Sequence, residues 1–377
     1  MERVFTRFVE GGHEVHVVLP GNGPLVELLR SKGIQVHIQT GLSVFDRSQV
    51  GSILGCLRFL LYFPISVVLL IALILRYSID VVHTNTGVLP SSGIAAMLTG
   101  TPHVWHVREL FAEFGWLWKP YERYISLFSS VIIAISRCTR NQFDFAIRNR
   151  VHVIYDGLDE TAFEVNPERR DAFRNSFPTD KLLVGVVGRI KFHRKGQEVL
   201  VRAARLLKER HPRVHYVIVG STALGNEEHE TRLRSLIASL DLENDFTFVG
   251  DVEDPMPVFA ALDVAVVPSV QPEPFGCVVI EAMAVGTPVI GSRCGGIAEQ
   301  IIDGSSGLLF TPGDPDALAD RLERIINDGL LRERIIEEGL QRVHDVFRLE
   351  DTCRHTLALF DRVKRPEFRT LPGGGAL

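Results

Sequence analysis

The feature that most constrains this chain is an alternation that stops and begins again. Short runs rich in valine and isoleucine are separated by longer helical patterns. The first set comprises EVHVVL at 14–19, a run at 34–38, IDVVH at 79–83, a run at 103–107 and VIIAI at 131–135. The second comprises KLLVGVVGRI at 181–190, VHYVIVG at 214–220, FTFVG at 246–250, DVAVVPS at 263–269, PVIGS at 288–292 and GLLF at 307–310. Helical patterns such as GQEVLVRAARLLKERH and HETRLRSLIASLDL fall between them. Apolar runs that alternate with helices in this way mark the strands of a parallel sheet covered on both faces. The restart predicts two Rossmann-like halves, residues 1–165 and 180–348, with a polar connector near 160–180. A length of 377 residues also suits two α/β domains better than one core. Strand carboxyl ends and helix N-termini converge between such halves, so a ligand is expected in the cleft between them. Residues 365–377, ending PEFRTLPGGGAL, read as a flexible tail.

Composition removes several function classes. With 46% hydrophobic and 23% charged residues, the chain has the balance of a soluble globular protein. A net charge of −5 leaves no basic surplus, which argues against a nucleic-acid partner. The five cysteines, Cys56, Cys138, Cys277, Cys294 and Cys353, are scattered and form no C-x-x-C pair. That argues against a disulfide framework or a structural zinc site and fits a reducing cytoplasm. No H-E-x-x-H is present, and His103 with His106 is weak evidence for a metal. The opening MERVFTRFVEGGHEVHVVLP reads as a helix, a Gly-Gly break and a strand, without the plan of a signal peptide. A domain of this kind ordinarily opens with a strand, so the chain is expected to begin in the middle of a unit.

One apolar segment has two readings. FLLYFPISVVLLIALIL at 59–75 carries no charge, lies between Arg58 and Arg76, and is interrupted by Pro64. The plainer expectation is a buried helix feeding the strand IDVVH. The alternative is a monotopic surface that reaches a lipid-borne substrate. A spanning helix is disfavoured, because the segment falls short of about 18–20 residues and the strand pattern resumes at once.

Three clusters could carry chemistry. In PEPFGCVVIEAMAVGTPVIGS, Glu273 precedes a helix that Gly286 ends, and Glu281 lies inside it. The amides of Phe275, Gly276 and Cys277 would point out of that helix N-terminus, where an anion or sugar oxygens can be received. Glu273 could instead merely complement the helix dipole. An unpaired Glu281 would be costly on so apolar a helix, and a ribose diol would satisfy it. In VVGRIKFHRKGQE, Arg189 follows a strand and Lys195 precedes a helix, which makes a phosphate clamp without a P-loop. Lys191, His193 and Arg194 share that loop, and charge alone leaves open which cation touches a ligand. In HVWHVREL, His106 sits at a strand end, followed by Arg108 and Glu109; a lone histidine there is structural or faces a ligand. Neither G-x-x-x-x-G-K-[ST] nor G-x-G-x-x-G after a first strand is present, which weakens kinase and dehydrogenase readings.

Taken together, GRIKFHRKGQE, PEPFGCVVIEAMAVGTPVIGSRCGGIAE and VIYDGLD resemble the retaining glycosyltransferases of family 4, which have the GT-B fold. Two glutamates separated by seven residues, then a strand and a Gly-Gly-x-x-Glu turn, are the specific part of the pattern. The resemblance runs from the strand at 14–19 to about residue 360. It implies two Rossmann-like domains facing across a cleft, with a last helix near 349–364 returning to the N-terminal domain.

The resemblance also implies roles. Arg189 and Lys195 would hold the diphosphate of a nucleotide sugar, and Glu281 the ribose hydroxyls. Glu273 and the amides of Phe275, Gly276 and Cys277 would orient the donor sugar, while the loops after Gly220 and Gly250 would line the base pocket. His106 matches the histidine of the acceptor domain that contacts the donor sugar near the reaction centre. No divalent metal or other cofactor is required.

Two departures stand out. Asp156–Gly157 replaces the usual Asn-Gly, a small change because aspartate makes a similar turn. The family's first strand and Gly-rich loop have no counterpart ahead of Met1–Glu2–Arg3, so a gap is expected at one central sheet position, with weak or absent activity. The leading expectation is a cytoplasmic transferase acting on a glycan or lipid-linked acceptor, with peripheral contact on the inner face of the cytoplasmic membrane following from the alternative reading of 59–75. The alternatives are a sucrose- or trehalose-type synthase with a soluble acceptor, and a protein that binds nucleotide sugar without turnover.

Overall fold

The computed structural model of the chain describes residues 2–44 and 53–365. The tail expected at 365–377 therefore lies, apart from Arg365, outside the described residues. The chain divides into two compact units, Met1–Tyr155 with Leu349–Leu377, and Asp156–Arg348.

In the first unit every strand pair is parallel. β1 (His16–Leu19) pairs with β2 (Gln35–Ile38), and β3 (Val82–Thr84), β4 (His103–Val107), β5 (Val131–Ala134) and β6 (Val151–Val153) form a second sheet in that order. Among the described residues β1 pairs only with β2 and β3 only with β4, so the sheet comes in two pieces. That is the gap the sequence leads one to expect. β6 is an addition, since three residues are too few for an apolar run to stand out. The helix Glu2–Glu10 sets Val4 and Phe8 against Leu349 and Cys353 of the helix Leu349–Lys364, with Phe8 and Phe360 edge to face at 5.9 Å. The last helix thus belongs to the first unit.

The apolar segment differs from its plainer expectation. It forms one helix, Ile53–Arg76, which runs through Pro64 instead of stopping there. Only Ser66, Val67, Leu70 and Ile74 are buried. They pack with Ala95 of the helix Ser91–Thr99, and Ser66 and Ser91 share a hydrogen bond of 2.7 Å. The opposite face is exposed: Leu54, Leu57, Leu61 and Val68 are 76%, 59%, 66% and 64% accessible. Between Arg58 and Arg76 the helix carries no charge, and the unit covers only one side of it.

The second unit holds a single parallel sheet. Its strands are β7 (Leu182–Val187), β8 (Val214–Val219), β9 (Phe246–Gly250), β10 (Val264–Val267), β11 (Val289–Ser292) and β12 (Leu308–Phe310). They lie in the order β12-β11-β10-β7-β8-β9. Helices such as Gln197–Leu207 and Pro315–Asn327 bury Val199, Leu200, Ala203, Leu318 and Leu322 against the strand valines and isoleucines. In this doubly wound order the chain reverses direction between β7 and β10, the place where such sheets receive ligands outside the strand carboxyl ends.

The polar connector is not a linker. Residues 156–165 belong to the second unit, ten residues that the sequence reading gave to the first. Leu158 donates its amide to the Phe347 carbonyl at 2.7 Å, and Arg348 reaches Glu160 at 3.5 Å. The helix Pro167–Arg174 is capped by Asn166, whose side chain accepts from the Arg169 amide, and Arg174 pairs with Asp263 at 3.1 Å.

Candidate functional site

The reversal in the second sheet aims two loops at one place. β7 and β10 are neighbours, with Val184 opposite Val264 and Gly185 opposite Ala265. The loop after β7 carries Arg189 and Lys195, and the loop after β10 carries Glu273 and Phe275. The amides of Val270 and Gln271 both donate to the Arg194 carbonyl, at 3.1 and 3.3 Å, and so lock the two loops together. Gly196 makes this approach possible. Its φ is 69°, and a Cβ there would lie 1.9 Å from the Pro268 carbonyl oxygen.

Lys195 and Glu273 meet directly. The Lys195 ammonium donates to both carboxylate oxygens of Glu273, at 2.6 and 2.8 Å, and the Ser269 hydroxyl donates to the same carboxylate. Glu273 is 8% exposed, while the Lys195 side chain keeps 30% of its surface. The family resemblance implies separate roles for these two residues, one on the phosphates and one on the sugar. The structure joins them in one ion pair. Ser269 was missed altogether, because a serine in a loop has no periodic or charge signal.

Behind the pair, Gly296 donates its amide to the Glu273 carbonyl at 2.8 Å. A Cβ on Gly296 would fall 2.6 Å from the Phe275 Cα, which explains the Gly-Gly turn. Phe275 itself is buried, edge to face with Phe347 at 5.9 Å. Its carbonyl accepts from Gln300 at 3.1 Å. The loop backbone is thereby held from several sides, while its amides lead into the helix Cys277–Ala284.

Gly276 caps that helix with φ 91° and supplies no side-chain bond. Within the first turn the Val279 amide donates to the Gly276 carbonyl at 3.1 Å. The Cys277 thiol lies 3.9 Å from the Asp156 carboxylate. Glu281 is the fifth residue of the helix and is partly buried. The helix ends in a Schellman arrangement: Thr287 donates to Ala282 at 3.0 Å and Gly286 to Met283 at 3.1 Å. Gly286 thus stops the helix as its sequence position predicts.

Arg189 is exposed beside the loops of the neighbouring strands. Gly188 donates to Val219 and Ile190 to Ser221, each at 2.8 Å, while Gly220 donates to Gly250 at 2.7 Å. Arg189, Gly220 and Gly250 are therefore stitched along one sheet edge. Cys294, near Glu273, donates to the Ser269 carbonyl at 3.3 Å. Burial first, and then the Glu273 charge, push its thiol above the ordinary range.

His106 lies in the first unit, fourth of five residues in β4, and is 1% exposed. Among the described residues neither ring nitrogen has a hydrogen-bond partner. Its ring stacks on His83 with centroids 5.7 Å apart and planes at 22°. Burial, then the charges of Arg108 and His83, hold His106 well below the usual imidazole value, so the ring is neutral. His83 is pushed down to about 3, by burial first. His83 Nε2 and Asn85 Oδ1 are likewise buried without a partner among the described residues. These two residues were missed, and HTN at the end of IDVVHTN is the signal that could have shown them. Glu109 accepts from Thr86 at 2.5 Å and from the Gly87 amide at 2.7 Å, fastening the loop after β3 to that after β4. Among the described residues no cluster of three or more His, Cys, Asp or Glu side chains could hold a metal ion.

Comparison with known proteins agrees in both units. The family described as Glycosyltransferase Family 4 matches residues 2–162, and that described as Glycosyl transferases group 1 matches residues 167–342. An uncharacterized glycosyltransferase of Methanocaldococcus jannaschii, MJ1607, is 30% identical over 247 residues, 63% of this chain and 61% of that protein. The chain thus spans less than two thirds of that relative's length. The capsular polysaccharide biosynthesis glycosyltransferase CapM of Staphylococcus aureus is 27% identical over 343 residues, 85% of this chain and 88% of CapM. The solved structure of Anabaena Alr3699/HepE in complex with UDP superposes with a TM-score of 0.81 at 24% identity, covering 96% of each chain. The two family matches span the chain almost end to end, and with the doubly wound sheet they show that it belongs to the family 4 glycosyltransferases of GT-B fold.

Proposed function

We propose that this transferase moves a sugar, with retention of configuration, from a nucleotide-diphosphate sugar to a lipid-linked or cell-surface glycan precursor. The observation that carries the donor half is the Lys195–Glu273 pair beside the Gly276-capped helix N-terminus, at the reversal of the second sheet. Arg189 and Lys195 take the diphosphate. Glu273 fixes the Lys195 ammonium and, with the amides of Phe275, Gly276 and Cys277, orients the sugar. Glu281 receives the ribose hydroxyls, and the loops at Gly220 and Gly250 line the base. His106 contacts the reacting sugar as a neutral imidazole. As the glycosidic bond breaks, negative charge grows on the leaving phosphate, where preorganised cations lower the barrier most. The acceptor hydroxyl attacks the same face and passes its proton to that phosphate. This scheme uses no divalent metal, so chelation with EDTA is expected to leave transfer unchanged.

The comparisons support the donor and acceptor classes. Structures of the Anabaena protein contain UDP and UDP-glucose, and the name of CapM places it in capsular polysaccharide biosynthesis. The acceptor reading includes peripheral contact with the inner face of a cytoplasmic membrane through 59–75. A second reading, nucleotide-sugar binding without turnover, is favoured by the two-piece sheet of the first unit. Incubating radiolabelled UDP-glucose with the protein and a membrane extract separates the readings. Label in the lipid phase supports the first, and label in soluble sugar points to a sucrose- or trehalose-type acceptor. Tight UDP-glucose binding with no transfer supports the second.

A further inference from the structure

We infer that the helix Ile53–Arg76 is a membrane-docking element that lies flat in the headgroup region of an anionic bilayer. The inference deepens the lipid-borne acceptor reading and rests on it for its purpose, though not for its geometry. On the exposed side, Leu54, Leu57, Leu61, Ile65, Val68, Ala72 and Leu75 follow one another at spacings of three and four. That spacing draws one continuous apolar stripe along a helix of 24 residues, about 36 Å long. The other side is fixed to the first unit through Ser66, Val67, Leu70 and Ile74. A helix packed on the unit through its C-terminal half in this way is not free to turn across a bilayer, but it can present its free stripe to one.

The charges select the occupant. The helix has no acidic residue, and its cations sit near the two ends of the stripe, each beside a tyrosine. The Arg58 guanidinium lies 5.7 Å from the Tyr62 ring centroid, and that of Arg76 lies 5.4 Å from Tyr77. Arginine and tyrosine with an apolar stripe between them match the headgroup zone, where long cationic side chains reach phosphates and amphipathic rings sit at the boundary. A second copy of this chain fits less well. Arg58 and Arg76 are equidistant from Val67, so an antiparallel pairing centred there sets cation against cation, with no carboxylate in either helix to offset them.

The test is co-sedimentation of the full chain with vesicles of phosphatidylcholine alone or mixed with an equal part of phosphatidylglycerol. The mixed vesicles are expected to bind about thirtyfold more tightly, from the contribution of two arginines near a charged surface. Leu57→Asp with Leu61→Asp, both at exposed positions, is expected to weaken binding about tenfold or more. Thermal stability and UDP affinity should stay unchanged. Arg58→Gln with Arg76→Gln is expected to remove the preference for phosphatidylglycerol. Absence of binding to the mixed vesicles, equal binding by the double aspartate variant, or a wild-type dimer in solution that this variant splits would each overturn the inference. Vesicle binding without any transfer of label into lipid would leave the inference standing and overturn the lipid-acceptor reading instead.

Discussion

Glu273 accepts bonds from Lys195 and Ser269 while its own backbone is fixed by Gly296, so its carboxylate has little freedom left. A role as general acid or base is poorly served by such an arrangement, and a role in holding the Lys195 ammonium is well served. Lys195→Ala is expected to lower transfer by about 10²–10³-fold, the usual cost of removing one preorganised charge from a developing anion. Because Lys195 is partly exposed, its coupling to Glu273 in a double-mutant cycle of stability is expected near 1 kcal/mol, well short of a buried pair. Glu281→Ala is expected to reduce UDP affinity about tenfold to a hundredfold, measured by calorimetry; unchanged affinity would remove the ribose assignment. The residue types at this site were legible in the sequence, since carboxylates and cations stand out against apolar runs. Their pairing was not, because Lys195 and Glu273 are 78 residues apart and only the order of β7 and β10 brings them together.

At the level of elements, β3 and β4 carry three histidines, His103 and His106 buried and His83 half-buried, whose protonation desolvation opposes. His83 is held at about 3 and His103 at about 4, with His106 also well below the ordinary 6.5. The unfolded chain therefore takes up protons that the folded chain refuses. Stability from these rings is complete above about pH 6.5 and falls as pH drops toward about 4, by about 1.4 kcal/mol per pH unit for each ring. Circular-dichroism melts between about pH 7 and about pH 5 should show the decline, and His83→Phe should make it shallower. Between β7 and its helix, Gly196→Ala is expected to cost at least about 1–3 kcal/mol, since the left-handed backbone and the Pro268 carbonyl both oppose a side chain. Strand positions were mostly readable from their valines and isoleucines. The exposed face of Ile53–Arg76 was not, because a helix without charge between Arg58 and Arg76 does not state which side its neighbours cover.

For the whole molecule, the number and class of domains were legible, while the point of division was not. The polar residues after Tyr155 look like a linker by composition, yet their backbone bonds tie them to the end of the second unit. That tie has a practical meaning. The second unit is one uninterrupted stretch of chain whose two ends are fastened to each other, Leu158 by its amide to Phe347 and by a parallel bridge to Arg348. It is built as a removable cassette. Expressed alone, residues 156–348 are expected to unfold in one cooperative transition and to bind UDP within about tenfold of the full chain. Calorimetry on the fragment checks both outcomes, and a folded fragment would let the proposed donor recognition be studied, varied or grafted apart from the first unit.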